Sequence, residues 1–276
     1  MTATTVGTAA GPAVGRAGFG RLMRSEWTKI RSVRSTVWTL ALLALLFPGF
    51  TALLVGLTVA EWDAMTAEDR ALAAADPVAV ILGSGFLISQ PTICVLGVMV
   101  IASEYSTGMI RASLLAVPAR LPMLAAKAAV LGLLVLVVSV ATAFVSYFIG
   151  APMLEGKISV SLGDPGVLRA VVGSGLYLTV LALFSLAIGA LVRHTAAGIT
   201  GVIGFVLVLA PLVQLVPGKA GEYLHSYLPT EAGLLIGQAK QAQDDLLTPW
   251  QGFGVFCLWT AVLLTAAAIL LKRRDA

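Results

Sequence analysis

Few residues in this chain could do covalent chemistry, and their spacing fits none of the familiar catalytic patterns. There are two histidines and two cysteines among 276 residues. His194 and His225 belong to no HExxH pair, which disfavours a zinc metalloprotease. The GSG triplets at 83–85 and 173–175 lack the GxSxG spacing of a nucleophile elbow and a partnered histidine. PGKAG at 217–221 holds glycine and lysine without the GxxxxGK[S/T] spacing, so the chain has no nucleotide-binding P-loop of its own. Cys94 and Cys257 stand inside apolar runs, outside any CxxC motif, and read as small buried hydrophobes rather than a disulfide or metal site.

What remains is ionic. The stretch 103–127, SEYSTGMIRASLLAVPARLPMLAAK, interrupts two long apolar runs. Glu104 stands at the mouth of the first run, and Lys127 opens the next. Ile110, Leu114 and Val117 would share one helical face, an apolar edge suited to a groove on a partner. Arg111 would project beside them, where it could meet an acid. An ordinary interfacial loop helix would carry the same pattern. Earlier in the chain, 18–35 (GFGRLMRSEWTKIRSVRS) places Phe19, Met23, Trp27 and Ile30 on one side of a helix. Arg21, Arg24, Thr28, Arg31 and Ser32 fall on the other, a basic amphipathic pattern suited to an anionic membrane surface. Glu26 projects on the apolar side. It has two readings, a local pair with Lys29 at i,i+3 or a contact with another protein surface.

These residues need elements to hold them, and the composition says what kind. The chain is 58% hydrophobic and only 12% charged, against about 25% charged in a typical soluble domain. Its apolar runs approach the roughly 20 residues that a helix needs to cross a bilayer. The alternation of a β-barrel is missing. The fold class is therefore all-α integral membrane, with six spans at about 37–60, 79–102, 124–149, 168–192, 196–217 and 251–271. Pro48 is expected to kink the first span, and Pro91 lies near the middle of the second. Residues 1–17 are expected to be a disordered tail, 18–35 an amphipathic interfacial helix, and 36–272 one membrane domain. Residues 103–123 form the first loop on the N-terminal side. The loop 218–250 should hold one or two interfacial helices broken at Pro229. Ser185 and Gly189, and Ala197 and Gly201, invite close helix packing, within the chain or between subunits.

Basic residues orient the spans. With the N-terminus inside, thirteen of the 18 Lys and Arg fall on the inner side; Arg70, Lys157, Arg169, Lys219 and Lys240 fall outside. Both termini are then cytoplasmic, in the cell membrane. His194 and His225 come to lie on opposite sides of the bilayer and cannot share a site. The net charge of +4 is accounted for by this inner bias and calls for no nucleic acid. No acid sits mid-span, which argues against an ion-coupled transporter. Active transport would need energy from another chain.

Three stretches resemble a known family, the membrane subunits of type-2 ATP-binding-cassette exporters in their compact six-span actinobacterial form. RSEWTKIRSVRST at 24–36 is similar to that family's elbow helix, and YLPTEAG at 227–233 to its outer helical segment. The stretch 103–127 is similar to its first cytoplasmic loop, with an acid, a glycine four residues on, a basic residue, a proline and a lysine. The resemblance implies a coupling helix with Glu104, Gly108, Ile110, Arg111, Leu114 and Pro118 as ATPase-coupling residues, and Glu26, Trp27 and Lys29 as elbow-helix contacts. It implies an ABC-type ATPase partner that binds ATP and magnesium, a second permease subunit in a homo- or heterodimer, and a lipid surround. The chain itself would be no enzyme and would hold no cofactor or metal. The cargo would be an amphipathic or lipid-like molecule (a drug, antibiotic, peptide or lipid), with no residue assigned to bind it. The other reading is a non-transporting membrane sensor or immunity protein that binds a ligand at its outer loop.

Overall fold

Long apolar stretches with few helix breakers can satisfy their backbone only by internal hydrogen bonds once they leave water, so they fold as helices. In the computed structural model, which describes residues 18–109, 120–242 and 245–273, every regular element is helical. We number them α1 (Phe19–Ser32), α2 (Arg34–Glu61), α3 (Ala67–Ala75), α4 (Pro77–Ser106) and α5 (Arg120–Leu154). Then follow α6 (Val167–Val192), α7 (Thr195–Gln214), α8 (Lys219–Ser226), α9 (Pro229–Leu234) and α10 (Pro249–Arg273). Six of these, α2, α4, α5, α6, α7 and α10, are long and apolar enough to cross a membrane. The expectations for Ile110, Arg111, Leu114, Val117 and Pro118, and for the tail 1–17, lie outside the described residues.

The six long helices divide into a core and a rim. In their most apolar stretches α4 and α6 are 61% and 67% buried, whereas α2, α7 and α10 are at most 28% buried. The outer helices therefore show apolar side chains such as Trp38, Leu45 and Leu258 to the surroundings. In water that would be an aggregation hazard; against lipid it is the expected surface. Close approach of the core pair depends on small residues. A Cβ on Gly97 of α4 would collide with the Ala182 carbonyl oxygen of α6, and one on Gly189 would lie 3.1 Å from Val98. Gly198 of α7 also packs on Val98, whereas Gly201 and Gly204 face open space. Intramolecular packing thus uses Gly189 and Gly198 and leaves Gly201 and Gly204 unoccupied.

A chain of aromatic rings crosses the bundle from Phe47 through Phe86, Tyr177 and Phe256 to Phe184 and Phe205, with centroids 5.4–5.7 Å apart. It joins α2, α4, α6, α10 and α7. Several hydroxyls inside the spans return to their own helices, Ser185 donating to the Leu181 carbonyl and Thr260 to Phe256, whereas Thr51 of α2 donates to the Ile81 carbonyl of α4 at 3.1 Å and Ser139 of α5 reaches both Val135 and, on α6, Gly175. Return to the same helix is the cheapest way to satisfy a hydroxyl away from water. The backbone of α2 continues as helix through Pro48 and that of α4 through Pro91. Helix α7 widens to a π-helical turn at Gly204–Val208.

Because successive spans reverse direction, α1, the start of α2, the end of α4, the start of α5 and the end of α10 share one end of the bundle. At the other end, α3 occupies the first loop, where the sequence suggested only a connection; Thr66 caps it by accepting from the Asp69 amide at 3.1 Å. The long loop holds α8 and α9, and Pro229 opens α9. Helix α9 packs on α10 and α6. The segment after it is tied down at Ala239, whose amide donates to Asp76 Oδ2 at 2.8 Å and whose carbonyl accepts from Arg169 at 3.0 Å. Asp76 Oδ1 also caps α4 by accepting from the Ala79 amide. Gly166 at φ +86 passes so close to the Ala239 carbonyl that any Cβ would collide with it.

Candidate functional site

Glu104 stands in the last turn of α4, an unfavourable place for an acid because the helix dipole presents its negative end there. It is also buried, at 6% exposure, which penalises a carboxylate further. Two ammonium groups offset both costs. Lys127 Nζ, on α5, donates to Glu104 Oε1 at 2.8 Å, and Lys29 Nζ, on α1, approaches the same oxygen at 3.4 Å. Both lysines also hold Glu26 of α1: Lys127 at 2.6 Å to Oε2 and Lys29 at 2.7 Å to Oε1. Two acids and two bases thus alternate around a compact cluster, and the four formal charges cancel.

Each helix brings its member for a local reason. On α1 the face turned to the bundle is Leu22, Glu26 and Ile30, spaced four apart and so stacked along one side. Phe19 and Trp27 point away and are about half exposed. Lys127 lies inside the third span and is 1% exposed. An amine so placed must be paired or lose its charge.

The two groups of the cluster that belong to α1 are shifted accordingly. Burial pushes the Glu26 carboxyl up, but the ammonium groups of Lys127 and Lys29 outweigh it, and the net shift is downward. Burial pulls the Lys29 ammonium down, and the hydrogen bond to Glu26 with the charge of Glu104 more than reverses it. Each partner therefore favours the charged form of the other.

The next residue extends the junction to the opposite side of α4. Arg193 places its guanidinium 5.1 Å from the centre of the Tyr105 ring, in range for a cation–π contact. Arg193 sits in the turn between α6 and α7 with φ 58, a left-handed conformation that costs a non-glycine residue. Its side chain also approaches the Leu270 carbonyl of α10 at 3.4 Å. Two adjacent residues of α4 thus face α1 and α5 on one side and the α6–α7 turn on the other. Past them α4 stops: Gly108 takes φ +70, and its amide donates to the Tyr105 carbonyl at 3.3 Å.

A sequence model of the family described as ABC-2 family transporter protein matches residues 22–211. That interval holds most of α1, all of α2 to α6, most of α7 and every residue of the cluster. The chain belongs to the ABC-2 transporter family. No curated protein matches it. As an ABC-2 member with six spanning helices, it is a multi-pass transmembrane subunit of an ABC transporter, the permease rather than the ATPase.

The ABC-2 subunit brings together three of the residues singled out from sequence, Glu26, Lys29 and Glu104. Gly108 lies just beyond them as the helix stop. Trp27 takes no part in the cluster. Lys127, Tyr105 and Arg193 were not singled out as site residues, although Lys127 had a legible signal, a cation inside an otherwise apolar run. The pairing of Tyr105 with Arg193 has none, since 88 positions of chain separate residues that only the fold makes neighbours. His194 caps the start of α7 by accepting from the Ala197 amide at 3.3 Å. His225 lies beyond its far end, 3.0 Å from Gln214 and 3.7 Å from Glu231.

Proposed function

We propose that this ABC-2 subunit is the membrane half of an ATP-driven exporter, with the α1 end facing the cytoplasm and a separate ATPase docked there. The observation that carries the proposal is the buried cluster of Glu26, Lys29, Glu104 and Lys127. It ties α1 to the two helices, α4 and α5, that flank the stretch 103–123. A push on that stretch by the ATPase would be felt at once by three helices, because moving any one alone exposes or unpairs a buried charge. Tyr105 and Arg193 would carry the same displacement to α6, α7 and α10. In this reading Glu104 and Gly108 fix where the coupling stretch leaves α4, and Ile110, Arg111, Leu114 and Pro118 meet the ATPase. Trp27, exposed on α1, faces lipid or the partner. Two such subunits would form the path for an amphipathic or lipid-like cargo, and ATP and magnesium would be bound by the partner. The positive bias of this end supports its cytoplasmic placement.

The test is reconstitution of the chain with its ATPase in vesicles. Arg111→Ala should keep the complex assembled while transport per ATP hydrolysed falls at least about tenfold, the effect of losing one charge-assisted contact. If no ATPase copurifies with the wild-type chain, or if Arg111→Ala leaves transport unchanged, the coupling role is wrong.

A further inference from the structure

A cavity of about 260 Å3 opens beside the charge cluster, between the α1–α2 junction and the end of α4. Ile30, Met99 and Val100 form its apolar wall; Ser103, Thr107 and Glu104 of α4 line one polar side, and Lys29, Ser35, Thr36 and Lys127 the other. Donors and acceptors both line it, and the α4 hydroxyls have already used their protons. Ser103 donates its proton to the Met99 carbonyl at 2.6 Å and Thr107 to the Ser103 carbonyl at 2.8 Å. Both hydroxyls are left with lone pairs only. Lys127 gives two of its three N–H groups to Glu26 and to Glu104 Oε1. Glu104 Oε2 is buried and has no hydrogen-bond partner among the described residues. That buried carboxylate oxygen, with the lone pairs of Ser103 and Thr107 on the same helix, calls for an N–H donor. A primary ammonium carries three.

Charge narrows the choice. The four side chains of the cluster already sum to zero, so a lone cation would leave an uncompensated positive charge in a half-enclosed site. A zwitterion avoids this by bringing its own anion. Arg31 and Arg34, both exposed, flank the wall residues Ile30 and Val33 in sequence and could meet a phosphate from the rim. The apolar wall suits the chain that follows. Helices long enough to span a bilayer end here, at the depth where lipid headgroups lie.

We propose that this cavity binds the headgroup of a zwitterionic aminophospholipid, with the primary ammonium donating to Glu104 Oε2 and the phosphate held by Arg31 and Arg34. Choline cannot replace ethanolamine, because its methylated nitrogen has no N–H to donate. The proposal does not depend on the direction of transport or on the cargo.

The experiment uses the full chain in nanodiscs of dioleoylphosphatidylcholine to which dioleoylphosphatidylethanolamine is added, with native mass spectrometry of retained lipid after transfer to detergent. The wild type should retain the ethanolamine lipid over the choline lipid by at least about tenfold, the worth of one charge-assisted hydrogen bond. Glu104→Gln should remove the preference, but it also disturbs Lys127 and Lys29. Val100→Trp is the second variant: it fills the cavity without touching the ion pairs. It should lose the preference while its melting temperature in pure choline lipid stays at the wild-type value. Equal retention of the two lipids by the wild type, or an undiminished preference in Val100→Trp, overturns the assignment. Equal protection of the protein by soluble phosphoethanolamine also overturns it as a lipid site.

Discussion

Lys127 is the residue on which most depends, because it is nearly inaccessible and neutralises two buried carboxylates at once. Removing one partner of a buried ion pair costs about 3–5 kcal/mol, chiefly from the charge left behind. Lys127→Met should therefore lower the thermal stability of the solubilised protein strongly. The double variant Lys127→Met with Glu26→Gln should recover part of the loss, since one orphaned charge is then gone. A double variant no more stable than the single one would show that Lys127 acts through packing instead. Acidity probes the same contact from the other side. The Glu26 carboxyl is held below its ordinary value, so its contribution is present above the unfolded value of about 4.3 and is lost as pH falls through the folded value. The Lys29 ammonium is held above its ordinary value, so its contribution is present below about 10.4 and is lost as pH rises through its folded value. Attachment of α1 should thus be constant between about pH 5 and 10 and weaken on both sides. Trp27, on the outer face of α1, is a fluorescent reporter; Glu26→Gln should abolish the acid limb of its titration.

At the scale of elements, the two ends of the bundle are fastened by different means. At the α1 end the fastening is charge against charge. At the other end it is backbone against side chain, with Asp76 capping α4 and holding the amides of Ala239 and Lys240 at 2.8 and 3.1 Å. Asp76→Ala removes both roles. With a helix cap worth about 1 kcal/mol and hydrogen bonds to a charged acceptor about 1.5–3 kcal/mol, the segment after α9 should open well before the bundle. Hydrogen exchange at residues 235–240 should rise at least about tenfold, while exchange in the aromatic core from Phe86 to Phe256 stays slow. Uniform acceleration across both would mean that this loop is not a separate unit of stability. Gly108 belongs to the same scale: its left-handed backbone ends α4, and Gly108→Ala should cost about 1 kcal/mol through strain alone.

For the whole molecule, the decisive property is sidedness. Read from the sequence with six alternating spans, thirteen of the 18 Lys and Arg would fall on the side of the N-terminus, and that bias is the physical basis for the proposal that α1 faces the cytoplasm. A cysteine introduced at Met65, in a partly exposed turn before α3, should react with an impermeant maleimide on intact cells. Labelling only after the cells are broken would invert the topology and remove the ATPase from the α1 end. The native Cys94 is buried and Cys257 half-buried, each within a span, so background labelling should be low.

Composition and hydropathy alone determined that the chain is a bundle of six membrane-crossing helices, because hydrocarbon leaves the backbone no other way to satisfy itself over such lengths. Family membership was legible too, in Glu104, Gly108 and the basic segment around Glu26. Only the tertiary structure decided what Glu26 does. In sequence its neighbour was Lys29, three residues away. In the fold it also reaches Lys127, 101 residues on, because α1 lies across the start of α5 and turns its Leu22–Glu26–Ile30 face inward. Periodicity shows which residues share a face of a helix, but not which other helix that face will meet. Pairing across a bundle depends on where small residues such as Gly97 and Gly189 let helices touch, and that is settled by all the contacts together.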